Sequence, residues 1–208
     1  MSMTDDRIEL ALGPCFFNWP AEKLEAFYAH VADEMPVDRV YLGEVVCGKR
    51  LPLTDKLWPA VRERLERAGK TVVPALLALP ITKRERWITA RAAKAEGPVE
   101  INDLGALADR GGRPFTAGTF LNVYNEATLR ILADKGCDGW CPPVELPLAE
   151  IARIAAAVPA VAVELFAFGR LPLAISARCY HARAYGRAKD NCQLVCENHG
   201  DGMDVATL

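Results

Sequence analysis

The stretch FTAGTFLNVYNEATLRILADKGCDGWC, from Phe115 to Cys141, decides the fold. Phe115–Leu121 reads as a strand, Glu126–Lys135 as a helix closed by Gly136, and Asp138–Cys141 as the next strand. A strand, a helix and a strand joined this tightly form a βαβ unit, which forces the two strands to run parallel. Toward the C-terminus the pattern repeats with a helix over Pro147–Val158 and a strand over Val161–Phe168. Toward the N-terminus it predicts strands at Val99–Asn102 and Lys70–Leu77, with helices at Leu104–Arg110 and Lys83–Ala95. Asp38–Glu44 and Ile8–Leu12 are strands. Asp55–Ala68, stopped by Gly69, and Ala21–Glu34, with Leu24, Phe27, Tyr28 and Val31 at helical spacing after Pro20, are helices. The expected architecture is α/β: seven strands, six of them followed by a helix, in one domain over residues 1–208. A complete barrel of such units takes ~250 residues, so the expectation is an incomplete or opened parallel (β/α) barrel, TIM-barrel-like.

Half of the 208 residues are apolar, enough to bury a real core, and the formal charge of −2 gives no general electrostatic footprint for nucleic acid. No apolar run reaches the roughly 20 residues that cross a bilayer, and MSMTDDRIEL lacks a basic start followed by an apolar core. A cytoplasmic location is expected. Seven cysteines, an odd number without an export signal, read as buried small hydrophobes, metal ligands or catalytic groups rather than disulfides.

Function in parallel α/β folds gathers at the carboxyl ends of the strands. Those ends carry Cys15 and Asn18, Glu44 and Cys47, Asn102 and Asp103, Asn122 and Asn125, Glu145, and Glu164 and Arg170. Beyond the last strand, a loop at 169–200 holds Cys179, Cys192 and Cys196 among Arg170, Arg178, Arg183, Arg187 and Lys189. Thiolates are soft anionic donors, and basic neighbours help hold them deprotonated, so the three read as metal or cluster ligands with Cys47 as the fourth. Spacing alone leaves tetrahedral zinc and an iron–sulfur cluster equally open.

The run ELFAFGRLPLAISARC, Glu164–Cys179, resembles the signature of the collagenase-like peptidase family, with a glutamate, an F-x-x-G-x-L turn and a serine before an R-C pair. LGPCFFNWP (12–20), VYLGEVVCGKR (40–50), NDLGAL (102–107), LNVYNEATL (121–129), PPVEL (142–146) and KDNCQLVC (189–196) are similar to its ubiquinone-biosynthesis branch, the UbiV proteins. Many relatives have a cysteine where this chain has Pro172, and in the sister UbiU proteins that cysteine is a cluster ligand. Cys47, Cys179, Cys192 and Cys196 instead match the UbiV-like positions, and the resemblance implies that they hold a 4Fe-4S cluster. It further implies an iron–sulfur subunit of an oxygen-independent hydroxylation system in ubiquinone biosynthesis. Such a subunit pairs as a heterodimer with a UbiU-like partner and acts on a ubiquinone precursor, with prephenate implicated as oxygen donor. Chains of this family usually continue beyond the point where this one stops, at Leu208.

Rival readings come from the same residues. Peptidase action or RNA hydroxylation is the alternative within the family, and a scaffold stabilised by zinc or a cluster is the alternative outside enzymology. Ser176 has no evident base among His30, His181 and His199, which argues against ordinary proteolysis. Glu44, Asn122 and Glu164 are the candidate substrate-binding residues, and Glu145 shares their strand-end placement. The carboxylates among them equally suit helix caps or arginine pairs. Cys15, Cys137 and Cys141 are read as packing thiols.

Overall fold

The computed structural model describes residues 8–172 and 174–204. Its strands are β1 (Ala11–Leu12), β2 (Arg39–Leu42), β3 (Thr71–Pro74), β4 (Glu100–Ile101), β5 (Phe115–Ala117), β6 (Cys137–Trp140) and β7 (Ala162–Val163). The helices are α1 (Ala21–Asp33), α2 (Leu51–Thr54), α3 (Trp58–Arg67), α4 (Lys83–Ala93), α5 (Leu107–Arg110), α6 (Glu126–Ala133), α7 (Leu148–Ala157) and α8 (Tyr180–Ala184).

Every strand pairing is parallel and joins chain neighbours: β1, β2 and β3 form one sheet, and β4, β5, β6 and β7 form another. A parallel bridge between Ala75 and Glu100 connects them, reinforced by the Leu76 amide donating to the Glu100 carbonyl over 3.1 Å. The order therefore follows the sequence from β1 to β7 without a reversal.

The faces of β2 and β3 explain where the helices go. Side chains alternate along a strand. Val40, Leu42 and Val72 point to the side covered by α1 and α3, where they pack with Leu24, Tyr28, Val31, Val61 and Leu65. Tyr41 and Val73 point the other way, into a separate cluster with Val45 and Ala75, and Phe120 from beyond β5 packs against it. A third cluster, centred on Trp140, Ile101 and Phe115, lies under α6 and α7 through Leu129, Leu132, Ile151 and Ile154. Burying each of these aliphatic side chains contributes roughly 1.5–3 kcal/mol relative to exposure.

Several elements are shorter than the sequence predicts, for local reasons. The helix expected over Asp55–Ala68 starts later, as α3 at Trp58 with Pro59 in its first turn, and a separate short helix, α2, with Pro52 in its first turn, precedes it. A proline there lacks only an N–H that no helical carbonyl would have received. The strand expected over Phe115–Leu121 stops at Ala117 and gives way to a 3₁₀ turn, Thr119–Leu121. Leu104–Arg110 begins as a 3₁₀ turn because the Asp103 carboxylate accepts the Gly105 N–H at 2.9 Å. Ile8–Leu12 and Val161–Phe168 contract to two residues each, since β1 and β7 have a partner on one side only. The helix over Lys83–Ala95 starts at a capping box in which Thr82 and Glu85 satisfy each other's backbone N–H groups. Among the described residues, no helix is long and apolar enough to cross a membrane.

Candidate metal centre

The turn after β2 positions Cys47 through four consecutive fastenings. Oε1 of the buried Glu44 accepts the N–H groups of Val46 and Cys47, each at 2.8 Å. Gly48 lies so close to α4 that a Cβ there would sit 2.2 Å from Glu85 Oε1. Lys49 Nζ donates to the carbonyls of Lys189 and Asp190 at 2.6 and 2.8 Å, tying this turn to the C-terminal segment. Arg50 Nη1 donates to the Phe16 carbonyl at 3.0 Å and stands 3.9 Å from Glu44 Oε1. Burial pushes the Glu44 carboxyl up, while Arg50 and the two N–H donors oppose that shift.

The other three cysteines come from the segment after β7. Cys179 precedes α8, whose Ala182 is buried and accepts the Arg187 N–H at 2.8 Å, turning the chain back. Cys192 follows the 3₁₀ turn Lys189–Asn191, and its carbonyl accepts from Arg187 Nη1 at 3.4 Å. Gln193 and Leu194 then take φ values of 49° and 51°, left-handed backbone that non-glycine residues adopt at a cost on the order of 1–2 kcal/mol each. Those two residues reverse the chain into the turn Val195–His199, which carries Cys196. From the N-terminal loop, Asn18 Nδ2 donates to Cys196 Sγ at 3.3 Å. Trp19 Nε1 and Lys23 Nζ hold Asp201 at 2.7 and 2.9 Å, closing the end of the segment against the same loop.

The result is a cavity of about 200 Å³ lined by Cys47, Cys179, Cys192 and Cys196 together, with Arg50 and His181 at its wall. Cys192 is buried and the other three are half-buried. Burial raises the Cys47 pKa, and the Lys49 N–H, Lys189 and Arg50 act against that rise. Among the described residues, no three Cys, His, Asp or Glu side chains are ready-placed about one point for a metal ion. The donor set itself, four soft thiols facing one space, fits a metal or cluster by its chemistry.

Cys15, Cys137 and Cys141 are not part of that wall. Cys137 is buried, with Sγ 3.0 Å from the Gly139 carbonyl, and burial pushes its thiol up to about 11. Cys141 is pushed up to about 12 by burial, with Glu100 and Glu164 adding to the shift. Cys15 packs against the cluster under α1 and α3. Such thiols are inert as nucleophiles at neutral pH. Of the histidines, His30 pairs with Glu34 on an exposed face, His199 Nε2 meets the Tyr185 hydroxyl at 2.7 Å, and His181 lines the cavity. The Ser176 hydroxyl, also at the cavity, accepts the Arg178 N–H at 3.0 Å.

The candidate substrate residues have three different surroundings. Glu44 braces the Cys47 turn. Glu164 accepts the Tyr41 hydroxyl at 2.8 Å, and burial raises its pKa. Asn122 is exposed and takes φ 55° to end the 3₁₀ turn after β5. Glu145 accepts from the Tyr124 hydroxyl. Lys49 and Arg50 escaped the sequence reading, although a K-R pair one residue beyond Cys47 was the visible signal.

The fold defines a class: a parallel α/β protein, in which the carboxyl ends of the strands are the general place for functional groups. Residues 19–199 match the family model of peptidase family U32, and the chain belongs to that family. The matched region contains all four cavity cysteines. No solved structure matches the chain.

Proposed function

We propose that this chain is the iron–sulfur subunit of an oxygen-independent hydroxylation system in ubiquinone biosynthesis, working in the cytoplasm with a UbiU-like partner. The observation that carries the reading is the meeting of Cys47 with Cys179, Cys192 and Cys196 around one cavity, although the turn and the terminal segment lie far apart in sequence. The four thiols line one cavity of about 200 Å³, and four thiolates are the usual ligand set of a 4Fe-4S cluster. The motif resemblance to UbiV-like proteins supports the pathway, the ubiquinone precursor as substrate and prephenate as oxygen donor.

When bound, a 4Fe-4S cluster carries single electrons. The chain's own residues would hold it: four thiolates as ligands, with Asn18 donating to one sulfur and Lys49 fixing the turn to the segment. The strands support an opened (β/α) barrel, since their parallel order follows the sequence and Tyr41 on β2 reaches Glu164 beyond β7. Glu164, Glu44 and Asn122 remain the substrate-side candidates of this reading.

The test is iron, sulfide and zinc analysis of the anaerobically purified protein and of Cys192→Ala. About four irons and four sulfides per chain, lost in the variant, is the expected result. One zinc without sulfide would overturn the redox reading and leave a structural closure.

A further inference from the structure

Helix α4 turns its buried residues, Glu85, Thr89 and Ala93, to one side. At 3.6 residues per turn, Lys83, Arg84, Trp87, Arg91 and Lys94 fall within an arc of about 100° on the opposite side, and all five are exposed. Counting Arg86, residues 83–94 hold five cations against one carboxylate, the buried Glu85, in a chain whose formal charge is −2. Among the described residues, Lys94 is the one cation of the outward arc that meets a carboxylate, Asp109 at 3.1 Å. Trp87 is 61 % exposed, and the Arg91 guanidinium stands over its ring, 5.7 Å from the centroid. Ile81, just before the helix, and Leu104, on the turn that contacts it, are exposed as well.

We propose that this face of α4 docks the protein peripherally on a membrane surface rich in anionic lipid. Charge complementarity selects an anionic partner, since clustered Lys and Arg are drawn to the negative potential of such a surface. An exposed indole among cations fits the headgroup layer, where its ring rests between water and acyl chains while the cations meet lipid phosphates. Nucleic acid is the poorer occupant. Single strands are held in a groove that tracks the backbone, with aromatic faces free for stacking. Here the side chains stand on the outer face of one helix, and Arg91 already covers the Trp87 ring. The far side of α4 meets the cysteine turn, because Glu85 packs against Gly48, next to Cys47. Docking therefore holds that turn one helix diameter, ~10 Å, from the lipid. It requires neither a metal nor the reaction proposed above.

The test mixes the full-length protein, as isolated anaerobically, with extruded vesicles of phosphatidylcholine alone and of equal parts phosphatidylcholine and phosphatidylglycerol. Co-sedimentation and tryptophan emission are measured. Binding to the anionic vesicles that weakens with added sodium chloride is expected, with a blue shift of emission that Trp87→Phe abolishes. Each cation at an anionic surface contributes roughly fivefold in partitioning, so Lys83→Gln combined with Arg84→Gln should weaken binding about 25-fold. Trp87→Ala, which keeps every charge, should weaken it independently. The matched control is Arg62→Gln combined with Arg67→Gln, which removes the same charge from the exposed surface of α3 and should leave most of the binding. Circular dichroism checks that each variant is folded. Equal binding to neutral vesicles, no binding to anionic ones, or equal weakening by the α3 and α4 pairs overturns the proposal. So does tighter binding of a uridine oligonucleotide that the α4 pair loses, which would assign the face to nucleic acid.

Discussion

Asn18 Nδ2 donates to Cys196 Sγ at 3.3 Å, joining the loop after β1 to a cysteine 178 residues later. Asn18 is buried, so its amide has been taken out of water to make this contact. An amide hydrogen bond withdraws charge from a thiolate and stabilises it. Asn18→Ala is expected to cost about 1 kcal/mol of stability. It should also make Cys196 the cysteine whose alkylation rate changes most. Urea unfolding and peptide-resolved iodoacetamide labelling check both, and unchanged labelling at Cys196 would show the contact to be incidental.

Lys49 places one ammonium on two carbonyls, those of Lys189 and Asp190. Among the described residues, these are the hydrogen bonds that tie the turn to the terminal segment, whose own regular structure is short. Lys49→Met, which keeps the aliphatic stem, should loosen residues 185–200 at a cost of about 1–2 kcal/mol while leaving the strands intact. Hydrogen exchange resolved by peptide is the measurement: faster exchange around Cys192 with unchanged exchange in β2 and β3 is expected, and uniform exchange would refute the role.

How much of this could be read from the residues alone follows from the range of each interaction. The parallel order was legible because strand and helix alternate, and periodicities of two and 3.6 residues are local. The candidate cysteines were legible as residue types, yet spacing says nothing about whether Cys47 faces Cys192. That depends on Lys49 reaching carbonyls on a distant segment. The burial of Arg50 was not legible for the same reason: a Lys-Arg pair near a cysteine looks like any surface bases until Glu44 and the Phe16 carbonyl enclose the arginine. The strand ends were overestimated where edge position, as in β7, removed one partner.

Gly48 is a tighter constraint than its place in a turn suggests. A Cβ would meet Glu85 Oε1 at 2.2 Å, and Glu85 Oε2 receives the N–H groups of Ile81 and Thr82 at the start of α4. Gly48→Ala must therefore displace either the Cys47 turn or the cap of α4. The expected loss is about 1–2 kcal/mol, the worth of an N-cap, accompanied by weaker metal retention. Combining it with Glu85→Ala should restore part of the metal retention, because the clash is gone even though the cap is not. Strictly additive losses in that double variant would count against the steric account.

Glu100 sets the pH dependence of stability. It is buried, and its pKa is pushed up from 4.5 to about 7 chiefly by burial, with the Asn102 hydrogen bond opposing and the Glu164 charge adding. Tyr41 and Cys141 also face these two carboxyls, both with raised pKa values. Between pH about 4.5 and about 7 the folded state holds a proton that the unfolded chain has released. The native state therefore binds more protons, and stability falls as pH rises through that window, levelling off above it. The loss expected from this group is on the order of 3 kcal/mol. The raised pKa of Glu164 acts with the same sign. Glu100→Gln, which fixes the neutral shape, should flatten the profile and make the variant more stable than wild type at pH 7.5 but not at pH 5. Urea midpoints at the two pH values decide it: a wild type equally stable at both, or a variant with the same slope, would place the controlling titration elsewhere.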